Sequence, residues 1–259
     1  EFIDGVVVAA DYPYIEQNLI PYHLRQFTSE FWDSKNLSPS CLVFYLAFNQ
    51  KLDLLHHTFF FDKDLDTHLM EVFDKKIVSK EPTFYVSAVS KTDPNVASVS
   101  GETIFILVPF TFKYDDSIDT SCFRNDILYK VLNRMCKSNV FPNKDSCWQN
   151  SLIYNSSFGP SDFKDKYNAY KGNAFGLSND FFQSFIFKPP IKSKISNLVF
   201  SGHMTHPGPG IPPSMLSGII SSNILHNNIY PQASFLFNAS FIFFIFYFSF
   251  HIFYLYNTR

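Results

Sequence analysis

From Ile195 to Thr258 the chain carries no charged side chain, and only Arg259 ends the run. All 23 acidic residues, and every other basic residue of the 21, lie between Glu1 and Lys194. A segment this long without charge has to find cover from protein, ligand or lipid, because solvated surfaces are normally strewn with charge. The front of the chain has an ordinary polar content. Across the whole, 19% of residues are aromatic and 17% charged, the latter below the roughly 25% of an average soluble domain. The net charge is −2 with mixed signs, so no nucleic-acid partner is expected, for want of a basic footprint. The 259 residues suffice for one large or two small domains with a proper core. The first residue is Glu1 and residues 2–11 already read as a strand in mid-domain, so the chain is expected to be a fragment. No signal or transit peptide is visible.

Residues 5–10 (GVVVAA) form an apolar run ending in Asp11 and a Pro13 turn, the pattern of a strand buried on both faces. Residues 41–48, 58–61, 83–89 and 103–109 are rich in β-branched and aromatic residues and predict a mixed, largely antiparallel sheet. Residues 66–73 predict a short helix with Leu69, Met70 and Phe73 on one face. The strongest helix signal has Phe123, Ile127, Leu128, Val131, Leu132 and Met135 at helical spacing, with Thr120 or Ser121 as its cap. A polar loop is expected within 141–155. Residues 197–201 predict a strand running into Gly202 and a Gly/Pro-rich loop, and 213–225 predict a helix.

Strand, Gly-rich loop, helix is an arrangement that offers backbone N–H groups and a positive helix end to an anionic ligand. Residues 202–218 read GHMTHPGPGIPPSMLSG. Gly202, Gly208 and Gly210 permit close backbone approach, while Pro207, Pro209 and Pro212 stiffen the loop. Most such loops are plain turns. His203 and His206 lack an accompanying Cys or carboxylate, so no metal site is expected. His56 and His57 read as surface histidines. Cys41, Cys122, Cys136 and Cys147 are too widely spaced for CxxC motifs and read as reduced thiols. GxSxG, Walker and HExxH motifs are absent.

The segments DFKDKYNAYKGNAFGL (162–177), FKPPIKS (187–193) and THPGPGIPPSMLSG (205–218), in this order and spacing, resemble the C-terminal part of bacterial and fungal-type phytoene desaturases, FAD-dependent carotenoid desaturases. FDKDLD at 61–66, FYVSAVSKTDPNVA at 84–97 and VVVAADYPYIEQNL at 6–19 are similar to the same family. The resemblance covers about residues 3–226. It implies an α/β fold: an α+β substrate domain (21–194) joined to parts of an FAD-binding Rossmann-like domain (1–20 and 195–228). The family's GxGxxG turn and ribose-binding acid are not in this sequence, so tight FAD binding by this chain alone is not expected. By the same resemblance Gly202, His203, Thr205, His206, Pro207, Gly208, Gly210, Ile211 and Pro212 would border the flavin. His203 departs from the acidic or amide residue common there.

The implied activity is desaturation of a carotenoid precursor, phytoene, with the flavin as hydride acceptor and oxygen or a quinone as final acceptor. A long apolar isoprenoid offers nothing to hydrogen-bond, so its channel must be apolar and aromatic. Asp93, in KTDPNVA, matches an aspartate proposed as a catalytic carboxylate in the family. The structural alternative is an Asx turn with Pro94. Tyr170 and Lys171 either line the space near the flavin or are scaffold. Residues 233–256 are uncharged and include nine Phe, against about 20 apolar residues for a spanning helix. A C-terminal membrane anchor is expected there, with a translation artefact of AT-rich sequence as the alternative. Two other functions fit less closely: a carotenoid isomerase or retinol-saturase-like flavoenzyme, and a non-catalytic, membrane-attached remnant.

Overall fold

The computed structural model describes residues 4–61, 64–75, 79, 81–110, 119–142, 148–178, 180–184 and 187–229. The expected anchor at 233–256 lies outside the described residues. Among the described residues no helix is long and apolar enough to cross a membrane. The fold is mixed α/β, with helices and two sheets.

The larger sheet has five strands: β2 (Ser40–Phe48), β3 (His57–Phe60), β4 (Phe84–Ser87), β5 (Glu102–Phe110) and β6 (Leu152–Phe158), in the order β3-β4-β5-β2-β6. Every pairing in it is antiparallel. Alternation along β2 sends Leu42, Phe44, Leu46 and Phe48 to one face. There they join Val86, Ile104, Ile106 and Val108 and the helix residues Ile127, Val131, Leu132 and Met135 in one core. The helix is Ser121–Lys137 (α4), capped by Thr120, whose hydroxyl accepts from Phe123 N. β6 was not expected, since a polar loop was predicted over most of it. It is an edge strand whose Ile153, Tyr154 and Asn155 are exposed, so burial imposes no clear alternation on its sequence.

The smaller sheet pairs β1 (Val6–Val8) with β7 (Leu198–Phe200) in parallel. Its core gathers Val8, Tyr12, Trp32, Leu37, Leu177, Phe200 and Met204, and Tyr12 of the following helix α1 (Tyr12–Asn18) stacks on Phe200. Two further helices used below are α5 (Pro160–Tyr167) and α6 (Ile211–Ile229).

Three local expectations need correction. β1 is not buried on both faces: Val6 and Val7 are 38% and 42% exposed, because they line an apolar groove of about 460 Å³ that the described residues leave open. The helix near 66–73 is α3 (Leu65–Leu69) followed by a wider turn, Met70–Lys75. It buries His68 and Val72 while Leu69, Met70 and Phe73 stay exposed, since a π-type turn shifts the helical face. Cys136 is disulfide-bonded, whereas Cys41 and Cys122 are free thiols; wide spacing in sequence carries no information about proximity in the fold.

Candidate functional site

Parallel strands in an α/β arrangement present ligands at their carboxyl ends. Here those ends are Ala9–Asp11 after β1 and Ser201–His203 after β7, joined by a bond from Ser201 N to Val8 O (2.8 Å). Together with Phe163, Tyr167, Ala169, Asn173 and Ala174 they line a cavity of about 480 Å³.

Asp11 caps α1 and is 6% exposed. Its Oδ1 accepts from Tyr14 N (3.0 Å) and its Oδ2 from Tyr170 N (3.0 Å) and Asn173 Nδ2 (3.5 Å). Burial pushes its carboxyl above the usual range, against these hydrogen bonds and the nearby His203. Asn173 Oδ1 accepts from Gly176 N (3.0 Å), which fixes the amide's orientation. That oxygen also meets His203 Nε2 at 3.2 Å, so Nε2 carries the hydrogen. Burial holds His203 below its usual pKa, opposed by Asp11 and assisted by Lys188. A neutral ring with a proton on Nε2 leaves Nδ1 as an acceptor. Gly176, at φ +73°, has to be small: a Cβ there would stand 2.7 Å from the His203 ring.

Gly202 adopts φ +113°, and the space its Cβ would occupy has no atom within 4 Å. A flavin or nucleotide could therefore approach this backbone closely, and in that respect the residues fit the implied cofactor. The loop behind Gly202 is tied to α6. Ser217, fully buried, accepts from Gly202 N (3.0 Å) and meets Thr205 Oγ1 at 3.0 Å. Thr205 also donates to Gly202 O (3.0 Å). Ser221 one turn on donates to Phe200 O (2.7 Å).

The structure thus gathers Gly202 and His203 at the cavity and gives Thr205 an inward, loop-tying position. His206, Pro207, Gly208, Gly210, Ile211 and Pro212 continue the loop without lining that cavity. Ile211 is 80% exposed. Pro212 and Pro213 remove two N–H groups from the first turn of α6, and Ser214 N bonds Gly210 O, so this helix end is poorer in donors than expected from its position. Asp93 sits apart, on the connection from β4 to β5. Its carboxylate accepts from Asn95 N (3.0 Å) and Nδ2 (3.1 Å), the Asx-turn geometry named as its structural alternative. Tyr170 and Lys171 both bond Asp33 through their side chains and line a different cavity, of about 560 Å³, rather than the one at the strand ends. Asp11, Asn173 and Lys188 were not singled out from sequence. The one available signal was the acid closing an apolar run just before a Pro-containing helix start.

The described residues define an α/β protein in which an antiparallel sheet module accompanies a parallel strand pair opening on a cavity bordered by Gly202 and His203. Its homologues include carotenoid and phytoene desaturases. The chain is 32% identical over 228 residues to carotenoid 3,4-desaturase of Haloarcula japonica, covering 87% of this chain and 44% of that protein. It is 30% identical over 236 residues to 4,4'-diapophytoene desaturase (4,4'-diaponeurosporene-forming) of Staphylococcus haemolyticus, covering 87% and 46%. It is also 31% identical over 226 residues to 4,4'-diapolycopene oxygenase of a Methylomonas species, covering 83% and 44%. The chain therefore spans less than half the length of these curated relatives. No family model matches it.

Proposed function

We propose that this chain is part of an FAD-dependent oxidoreductase that desaturates a carotenoid precursor such as phytoene. The observation that carries this reading is the cavity at the carboxyl ends of β1 and β7, bordered by Gly202 and His203, in a chain homologous to carotenoid desaturases. Residues 1–20 and 195–228 are read as parts of the FAD-binding domain and 21–194 as the substrate domain. FAD, when bound, supplies the hydride-accepting chemistry.

The chain's own residues hold and orient. Gly202 leaves room for close approach, and neutral His203 offers Nδ1 to a hydroxyl of the cofactor. Thr205 fixes the loop through Ser217, and residues 206–212 form its rim. A long isoprenoid substrate is supported by a line of rings on one face of the five-stranded sheet: Phe61, Phe59, Tyr85, Phe105 and Tyr45. Neighbouring centroids along it lie 5.0 to 6.4 Å apart, and Tyr45, Phe59 and Phe61 are exposed. Asp93 is proposed as the acid or base, acting once its Asx turn opens. Membrane attachment through 233–256 and reoxidation by oxygen or a quinone complete the proposal.

The test is expression of the full gene in phytoene-accumulating cells, followed by pigment analysis. A product that has lost pairs of hydrogens is expected; unchanged phytoene overturns the reading. Similarity to the diapolycopene oxygenase favours a second reading, oxygenation of a carotenoid end, and a product that gains oxygen would establish it instead.

A further inference from the structure

Lys188 is 7% exposed and sits under the loop. Its ammonium donates to Pro207 O (3.2 Å), and a Cβ on Gly208 would stand 2.3 Å from Nζ. Gly208 is itself buried, at φ +133°. An ammonium carries three donors, yet one acceptor is the whole of its bonding among the described residues, and it forms no ion pair there. A buried cation without a counter-charge is costly. The charged groups that sense it are His203 and His206, both of which it disfavours as cations. Pro212 and Pro213 remove two N–H donors from the adjoining helix start.

We propose that Lys188 is the cationic element of an anion-binding site at the Pro207–Gly208 turn, and that it takes an electron-rich oxygen of the flavin cofactor, charged on the phosphate or neutral on the ring. The identity of the ligand as a flavin rests on the proposed function; the existence of an anion site does not. Two sources share this chemistry, the cofactor's phosphate and the electron-rich carbonyl edge of its ring.

The test compares the wild-type chain with Lys188→Met and Lys188→Arg. Thermal melting and equilibrium binding are measured with inorganic pyrophosphate, FMN and riboflavin, and circular dichroism checks folding. A charge-assisted contact predicts about tenfold weaker binding for Lys188→Met, with Lys188→Arg restoring most of it. Gly208→Ala, which pushes the amine aside, should mimic Lys188→Met. Dependence on Lys188 for pyrophosphate and FMN alone assigns the phosphate; dependence that extends to riboflavin assigns the ring. If FMN binds and Lys188→Met binds all three probes like wild type, the inference is overturned while the flavin reading stands. A Lys188-dependent response to pyrophosphate without any flavin binding keeps the anion site and removes the flavin reading. A folded wild-type chain that responds to none of the probes overturns the inference.

Discussion

In the five-stranded module Glu102 is buried against Lys91 (2.7 Å) and Arg124 is clamped between Asp119 (2.5 Å) and Asp162 (2.6 Å). Around β1 and β7, by contrast, Asp11, Glu16 and Lys188 are buried without an ion pair among the described residues. The titrations follow. Burial works to raise Glu102 and Asp119, but hydrogen bonds from Lys91 and Ser90 to the first, and from Arg124 and Ser161 to the second, hold both below the usual carboxylate range. Burial prevails at Asp11 and Glu16 and raises both, and it lowers Lys188. The first region compensates its own charges. The second leaves its buried ionisable groups without a counter-charge among the described residues, and one of them, Asp11, lines the cavity.

The largest expected effect that could break this contrast is on stability. Arg124→Ala strands two carboxylates, one of them fully buried, and should cost about 3–5 kcal/mol in denaturant unfolding. Lys188→Met removes an uncompensated charge and should be neutral or stabilising without ligand. Equal losses for the two would erase the distinction.

Next comes the tie between loop and helix. Ser217→Ala leaves Gly202 N without its acceptor and Thr205 without one of its partners, at a cost of about 1–3 kcal/mol. Hydrogen exchange should show the loss concentrated in 201–210 rather than in β2 or β5.

Acid titration sharpens the comparison because the two regions carry opposite signs. The folded pKa values of Asp119 and Glu102 are depressed, so their stabilisation is full above the unfolded carboxylate pKa and is lost as pH falls through the lower folded value. Asp11 and Glu16 have raised folded pKa values. Their contribution is full below the unfolded pKa and is lost as pH rises through the folded value, so mild acidification from neutrality should favour the β1–β7 region. Residue-resolved exchange between neutral pH and about pH 4 checks this; parallel behaviour of both regions would contradict it.

The smallest stability effect is expected at Asp93→Asn, which keeps an oxygen for the Asx turn and should change stability by no more than about 0.5 kcal/mol. In the full-length enzyme the same change should abolish most turnover. Unchanged turnover with FAD bound would remove Asp93 from the mechanism.

Legibility in the sequence divided along the same line. β2, β5 and α4 could be read directly because burial against one core imposes periods of 2 and 3.6 on them. β6 escaped because an exposed edge strand bears no such imprint. At the site, Gly202 and the loop stood out by composition, whereas Asp11, Asn173 and Lys188 did not. Asp11 meets Tyr170 and Asn173 across some 160 positions of chain, and no local pattern announces a contact of that range. Burial also decides what Lys188 means, since an exposed Lys in FKPPIKS would signify nothing.

Hydrogen exchange of the wild-type chain with and without a high concentration of FAD tests the central claim most directly. Protection confined to residues 9–11, 170–176 and 201–211, with the five-stranded sheet unchanged, is the expected result. Saturating FAD that leaves those segments unprotected, or that protects β2 to β6 instead, would contradict the assignment of the β1–β7 mouth as the ligand site.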